Sequence, residues 1–235
     1  VNVDRLRTSA ERVLRVAWSD LPLSRTDVLA DAAARLWWRH HDDSAEADFY
    51  RTSLAYACHQ LDRATGDQSA YDALADVLHG RRVETVLDFG CGIGQVGYHL
   101  IDRGFIVDFA DLDTPAFRIC ADYGAASHSN FVTLPEGLSQ CPRYDAILLL
   151  DVLEHTPDPL DLWQHLAASH LSSQGVIAAI PTFGSSTEQG VRMRPEHLAS
   201  NDRYWGSWTE QLRSAAGWTP VAEAAGATVY GRLDQ

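Results

Sequence analysis

Lysine is absent from this chain of 235 residues, so all 19 of its cationic side chains are arginines. Schiff-base chemistry and pyridoxal attachment both need a lysine amine, and both are excluded. Cysteine is scarce. Cys58, Cys91, Cys120 and Cys141 stand far apart with no Cys-x-x-Cys, which argues against a zinc ribbon or a disulfide scaffold and for reduced thiols in a cytoplasmic protein. No apolar run is long enough to span a membrane, and Val1 to Asp20 mixes charges among its apolar residues, unlike a secretory signal. Basic clusters are also missing. The 32 acidic side chains leave a formal charge of -13, and no basic run exceeds Arg81-Arg82, so a nucleic-acid backbone is not an expected partner.

What is present is an ordinary globular composition, with 46% hydrophobic and 22% charged residues, and no internal repeat. Residues 1–80 read as helices. Leu6, Val13, Leu14 and Val16 form one stripe, ended by Pro22 and Ser24. Thr26 is placed to cap a second helix carrying Val28, Leu29, Ala32, Leu36 and Trp37. A third helical segment begins at Asp43-Ser44 and runs to Gly66 through Phe49, Leu54, Ala57 and Leu61, and a short fourth covers Tyr71 to Leu78. From residue 81 to 235 the rhythm becomes strand, turn, helix. Apolar runs at Val83–Phe89, Phe105–Ala110, Phe131–Leu134, Tyr144–Leu150 and Gly175–Ile180 alternate with helical stretches at Gln95–Arg103, Pro115–Tyr123 and Pro159–Leu171. Strands this apolar are covered on both faces, which predicts a doubly wound, mostly parallel α/β sheet carrying an N-terminal helical extension. Trp218–Glu223 and Thr228–Arg232 are read as a closing pair of strands.

The most informative stretch is Val86-Leu87-Asp88-Phe89-Gly90-Cys91-Gly92-Ile93-Gly94. An apolar strand delivers an acid and then glycines at every second position, so a ligand can approach the main chain without meeting Cβ atoms. Gly92 to Gly97 also fits the dinucleotide pattern G-x-G-x-x-G, which keeps an NAD-dependent oxidoreductase as an alternative. Asp88 counts against it, because a carboxylate beside the loop repels a pyrophosphate and suits a cationic ligand. About twenty residues on, a second strand ends in Asp111-Leu112, where a carboxylate can accept hydrogen bonds from both ribose hydroxyls. Asp108, earlier in that strand, and Asp113, beyond it, are the competing acids.

On the acid and the three glycines, residues 83 to 235 resemble the class I S-adenosylmethionine-dependent methyltransferase superfamily. The resemblance implies a Rossmann-like fold and S-adenosylmethionine as cofactor, with Asp88, Gly90, Cys91, Gly92 and Gly94 at its amino-acid end and sulfur. It further implies Asp111 and Leu112 at its adenosine. The run Tyr144-Asp145-Ala146-Ile147-Leu148-Leu149-Leu150-Asp151-Val152-Leu153-Glu154-His155 is similar to the fourth-strand motif of family members that act on small molecules. By that resemblance Asp151 lies beside the methionine portion and His155 faces the acceptor, where an imidazole can take the proton released as the methyl group moves. Bracing of the following helix by Glu154 and His155 is the structural alternative.

His197, in Arg194-Pro195-Glu196-His197-Leu198, is a second candidate for the acceptor side, set against an exposed position on a loop or helix start. His40-His41-Asp42-Asp43 has the residue types of a metal site, but neighbours on a helix point apart, and a solvated helix end is expected. His165 and His170 are expected at the surface. No metal is expected: metal-dependent relatives pair the fourth-strand acid with Asp-Asn after the fifth strand, and here Ile180-Pro181-Thr182-Phe183 follows. Trp37, Trp38, Phe49, Tyr50 and Tyr56 make the extension aromatic; most are expected in the core and some in a pocket for an apolar or aromatic acceptor, with Tyr204, Trp205 and Trp208 as its opposite wall. The expectation is therefore a methyltransferase for an oxygen or nitrogen of a small molecule. It has a cap over residues 1–80, a catalytic domain over 81–235, no membrane or nucleic-acid partner and a possible homodimer. A non-catalytic S-adenosylmethionine-binding protein of the same fold is the other alternative.

Overall fold

Apolar runs flanked by helices on both sides lose water from both faces only when they stack as a parallel sheet. The computed structural model describes residues 1–23, 26–37, 46–183, 187–188, 191–192 and 197–233. Its strands are β1 (Thr85–Phe89), β2 (Ile106–Asp111), β3 (Phe131–Thr133), β4 (Tyr144–Leu150), β5 (Leu171–Ile180), a two-residue pair β6 (Thr187–Glu188) and β7 (Val191–Arg192), β8 (Trp218–Ala224) and β9 (Ala227–Arg232). Seven of them form one sheet in the order β3-β2-β1-β4-β5-β9-β8. The first five are parallel, and β9 and β8 close the edge antiparallel, as the Trp218 and Thr228 runs suggested. The chain reaches β3 at one edge and then crosses to β4 beside β1, so strand order reverses between β1 and β4. Open α/β sheets bind ligands outside the carboxyl ends of the strands at such a reversal.

The helices are α1 (Val3–Leu14), α2 (Thr26–Trp37), α3 (Glu46–Thr52), α4 (Leu54–Thr65), α5 (Ala70–Gly80), α6 (Gln95–Asp102), α7 (Pro115–Tyr123), α8 (Pro159–Ser169) and α9 (Trp208–Ala216). Local side chains start several of them. Asn2 accepts from the Arg5 amide, Thr114 from Phe117 and Asp158 from Asp161. Pro115 and Pro159 sit in first turns, where a missing N–H costs nothing. The single third helix expected up to Gly66 is two helices. Ser53 adopts an extended conformation (φ -81°, ψ 102°) and its hydroxyl accepts from the Tyr56 amide, ending α3 and capping α4. Helix α8 stops at Ser169, and β5 begins at Leu171 rather than Gly175, because Leu171 pairs with Tyr144. Helix α9 was not among the helical stretches expected from the sequence.

Alternation along the strands divides the core between the two sheet faces. Leu87, Ile147, Leu149 and Ile177 pack with Trp163, which is fully buried and meets Trp208, Trp218 and Tyr230 edge to face. Val86, Ala146, Leu148 and Val176 pack on the other face, in one continuous cluster with Leu6, Leu61, Leu74 and Leu78. The core therefore runs unbroken across residue 80, and the helices before it cover the sheet directly. No helix among the described residues is long and apolar enough to cross a membrane.

Asp108 serves this framework. Its carboxylate is buried and accepts from the Asn130 amide (2.8 Å), the Asn130 side chain (3.0 Å) and the Tyr144 hydroxyl (2.9 Å), tying β2 to the entry of β3 and to β4. Asp108→Ala strands these donors in the interior. Chemical denaturation should show a loss of about 2–4 kcal/mol, since each buried donor left without a partner costs about 1–3 kcal/mol.

Candidate active site

Beyond Phe89 the chain turns through Gly90, Gly92 and Gly94, each at positive φ. All three positions resist a side chain. A Cβ on Gly90 would lie 2.5 Å from Val152, and one on Gly92 would lie 2.1 Å from the Gln60 side chain, besides demanding φ +55°. The Gly92 amide donates to Asp111 Oδ2 at 2.6 Å, and the Leu112 amide donates to Asp111 Oδ1 at 2.6 Å. The carboxylate ending β2 is thus seated on the amides of the loop that follows β1. Desolvation pushes the Asp111 carboxyl up to about 6 despite those bonds. Asp88 is only 4% exposed and accepts from the Gly97 amide at 3.1 Å. Burial, with repulsion from Asp111 as a smaller cause, pushes its carboxyl up to about 7. Asp113 turns outward to pair with Arg118 at 2.7 Å.

Strand β4 ends in Asp151, held at φ +54°, which accepts from the Thr182 hydroxyl (3.2 Å) and lies 3.7 Å from Arg63. A one-turn 3-10 helix, Leu153–His155, follows. Glu154 is buried to 1% exposure, and burial pushes its carboxyl up against the attraction of His155. His155 Nδ1 is 3.0 Å from the Tyr50 hydroxyl of α3. His197 is buried rather than exposed, and its ring stands edge-on to His155 with 5.2 Å between centroids. Asn201 accounts for that approach. Its side-chain amide donates to the carbonyls of Leu153, Glu154 and Thr156, while the Leu198 amide donates to Glu154 O, so the segment after His197 is fastened to the turn carrying His155. No sequence motif pointed to Asn201.

These groups share one cavity of about 1230 Å³. Asp88, Gly90, Cys91, Gly92, Asp111 and Leu112 line its floor, and Asp151, Glu154, His155 and His197 line one side. Gly94 lies beneath the floor, where a Cβ would lie 2.6 Å from the Cys120 sulfur. The roof is α3 and α4, through Tyr50, Tyr56, Gln60 and Arg63, with Gln60 Oε1 accepting from the Ile93 amide at 3.0 Å. Sites for one small ligand occupy about 300–1,000 Å³, so this space admits a nucleoside-sized molecule and a second reactant beside it. Six carboxylates (Asp88, Asp111, Asp151, Glu154, Asp158, Asp161) face two guanidiniums (Arg51, Arg63) among the described lining residues.

Tyr50 and Tyr56 of the extension line the cavity, but the opposite aromatic wall and the surface placement of His170 do not hold. Tyr204 and Trp208 are not a pocket wall: both are buried in the core against Phe183, while Trp205 is 60% exposed. An apolar ring with a sheet face available packs there rather than lining a wet cavity. His170 is buried, with its amide capping α8, and only His165 is exposed, at the cavity's edge. Trp38 and His40-His41-Asp42-Asp43 lie outside the described residues.

The sequence profile of a family described as a methyltransferase domain matches residues 55–229. Among curated relatives, a ubiquinone biosynthesis O-methyltransferase of Nitrosomonas europaea is 29% identical over 97 residues, 39% of this chain and 41% of that protein. A malonyl-[acyl-carrier protein] O-methyltransferase of Salmonella typhimurium is 37% identical over 82 residues, 35% of this chain and 31% of that protein. The matched part is less than half the length of either relative. Among solved structures, the mitomycin 7-O-methyltransferase MmcR superposes with a TM-score of 0.64 at 10% identity, covering 90% of this chain and 72% of that one. Magnesium protoporphyrin IX methyltransferase from Synechocystis PCC 6803, solved with S-adenosylhomocysteine bound, superposes with a TM-score of 0.53 at 16% identity, covering 81% and 100%. At these identities the superpositions establish the fold.

The raised Asp88 carboxyl has a signed consequence for stability. Between its ordinary value and about 7, the folded chain holds a proton that the unfolded chain has lost, so stability falls as pH rises through that window. An asparagine side chain in its place carries no such penalty and can still accept from the Gly97 amide. Thermal melts of Asp88→Asn should therefore gain on the unsubstituted chain as pH is raised from 5 to 8, by roughly 2–3 kcal/mol at about 1.4 kcal/mol per unit.

Proposed function

The chain belongs to the methyltransferase-domain family, and from that premise we propose that it transfers the methyl group of S-adenosylmethionine to a small-molecule acceptor, to oxygen in preference to nitrogen. The observation that carries this reading is the pair of carboxylates, buried Asp88 and half-buried Asp111, at a loop whose Gly92 amide already serves Asp111. A pyrophosphate would need that amide and would face both acids, which disfavours the NAD reading. A donor bearing a sulfonium and an ammonium, and no phosphate, suits the same surface.

The residues fit such a donor. Gly90, Cys91 and Gly92 give the bare main-chain surface, with Gly94 supporting the turn from beneath rather than meeting the donor; Asp88 faces the ammonium end, and Asp111 is the acceptor for the ribose hydroxyls with Leu112 beside the base. Asp151 stands by the methionine portion, and Arg63 supplies a cation for its carboxylate. S-adenosylmethionine brings an activated methyl group on a good leaving group, so what the protein must add is alignment of the acceptor behind the methyl carbon. His155 and His197 face the acceptor's place and deal with its proton. Helices α3 and α4 exclude water from above, so residues 1–80 act as a cap whose inner helices are also core. A cytoplasmic setting, no nucleic-acid partner and a homodimer complete the proposal.

Calorimetric titration with S-adenosylhomocysteine and with NAD tests it. S-adenosylhomocysteine should bind and NAD should not. Asp111→Ala, which removes two charge-assisted hydrogen bonds, should weaken binding about tenfold or more. Tight NAD binding without S-adenosylhomocysteine would reverse the assignment. A panel of phenols, hydroxy acids and amines, assayed for S-adenosylhomocysteine release, separates an enzyme from a binding protein. His155→Ala should lower kcat by about a hundredfold while leaving S-adenosylhomocysteine affinity in place.

A further inference from the structure

We propose that Tyr50, supplied by the helical cap, is a positioning residue that decides which nitrogen of His155 carries the ring proton, and so makes His155 rather than His197 the base. The inference rests on the methyl-transfer reading and specifies how the two histidines divide the work. Its basis is one contact between segments 105 residues apart. The Tyr50 hydroxyl stands 3.0 Å from His155 Nδ1, and the two rings meet close to edge-on with 5.4 Å between centroids.

Both partners are held in place independently. Tyr50 packs edge-on against Phe49 (5.2 Å) and Tyr56 (4.8 Å), and Phe49 is buried. At 3.6 residues per turn, positions six apart on one unbroken helix point away from each other. The break at Ser53, which ends α3 and starts α4, lets Tyr50 and Tyr56 meet. His155 sits on the 3-10 turn whose carbonyls the Asn201 side chain holds. The hydroxyl and the imidazole are thus brought together by the roof and the turn, not by each other.

A neutral imidazole has one N–H, and only its bare nitrogen accepts a proton. With Nδ1 engaged by Tyr50, the acceptor's proton goes to Nε2. Nδ1 must then carry the ring hydrogen and donate it to the Tyr50 oxygen. The acceptor's hydroxyl proton passes to Nε2, its oxygen bonds to the methyl carbon, and the electron pair of the broken carbon–sulfur bond stays on sulfur. A hydrogen bond from the resulting imidazolium is stronger than one from the neutral ring, so Tyr50 favours the state reached during transfer over the state before it.

The surrounding charges agree with a proton on His155. One Glu154 oxygen lies within 4.8 Å of a ring nitrogen of each histidine, and Glu154 and His155 attract. The other titratable groups on this side of the cavity are His197, Asp151 at the end of β4, and Asp158 and Asp161 of α8. Tyr56 and His59 of α4 line it from above. His197 is 6% exposed and His155 half-buried, so a molecule in the cavity reaches His155.

The test is nitrogen-15 NMR of the full chain, in which the histidine ring signals report both tautomer and titration, with His155 assigned by its loss in His155→Gln. In the unsubstituted protein the neutral ring should carry its proton on Nδ1. In Tyr50→Phe, which keeps the ring packing, His155 should lose that preference and titrate about one pH unit lower, because its charged form has lost a hydrogen-bond acceptor. On any phenol of the panel that is methylated, the same variant should lower kcat about tenfold, leave KM within about twofold and move the acid limb of the pH profile down. A neutral ring protonated on Nε2 in the unsubstituted protein would overturn the assignment, as would unchanged titration in folded Tyr50→Phe. The ring signals are read without donor or acceptor. The expected signals in protein that fails to bind S-adenosylhomocysteine would therefore retain the hold of Tyr50 on His155 and sink the methyl-transfer reading.

Discussion

A carboxylate laid across backbone amides fixes the geometry of this cavity. Asp111, at the tip of β2, accepts from the Gly92 and Leu112 amides, and so locks the glycine loop of one strand to the end of its neighbour. The same loop packs closely on Val152 at Gly90. The link works only because the loop lacks side chains where Asp111 and Gln60 approach. Desolvation raises the carboxyls of both Asp111 and Asp88.

The opposite side of the cavity is organised by neutral hydrogen bonds. Asn201 spends its amide on three carbonyls of a single turn, and in doing so it sets the distance between two histidines far apart in sequence. Tyr50 reaches the same place from the roof. The donor side is thus built from consecutive residues of one strand–loop–helix unit, and the other side from three separate segments.

That difference explains what could be read in advance. Strands buried on both faces are legible from composition alone, and the five parallel strands lie where the apolar runs put them. The glycine loop, Asp88 and Asp111 were legible because the chemistry is local: an acid, alternate glycines and a strand end. Asp111 was preferred to Asp108 as the acid at the strand's end, and the structure adds that Asp108 is turned toward Asn130 and Tyr144. The burial of His197, the clamp by Asn201 and the core position of Trp208 depend on long-range packing that no periodicity encodes. The break at Ser53 was visible as a capping residue, but the apolar stripe on either side of it masked the interruption.

The unbroken packing of α4 and α5 into the sheet divides the roof into parts with unequal freedom to change. Leu61, Leu74 and Leu78 are committed to the protein's interior, and substitutions there are filtered by folding before they can be filtered by chemistry. Helix α3, by contrast, contributes Phe49 to the interior and little else, while presenting Tyr50 to the histidines. Under the proposed methyl transfer, substitutions in α3 can therefore retune the side of the cavity that holds His155 while the glycine loop stays untouched, so descendants of one ancestor can diversify in the acceptor they take and keep a common donor.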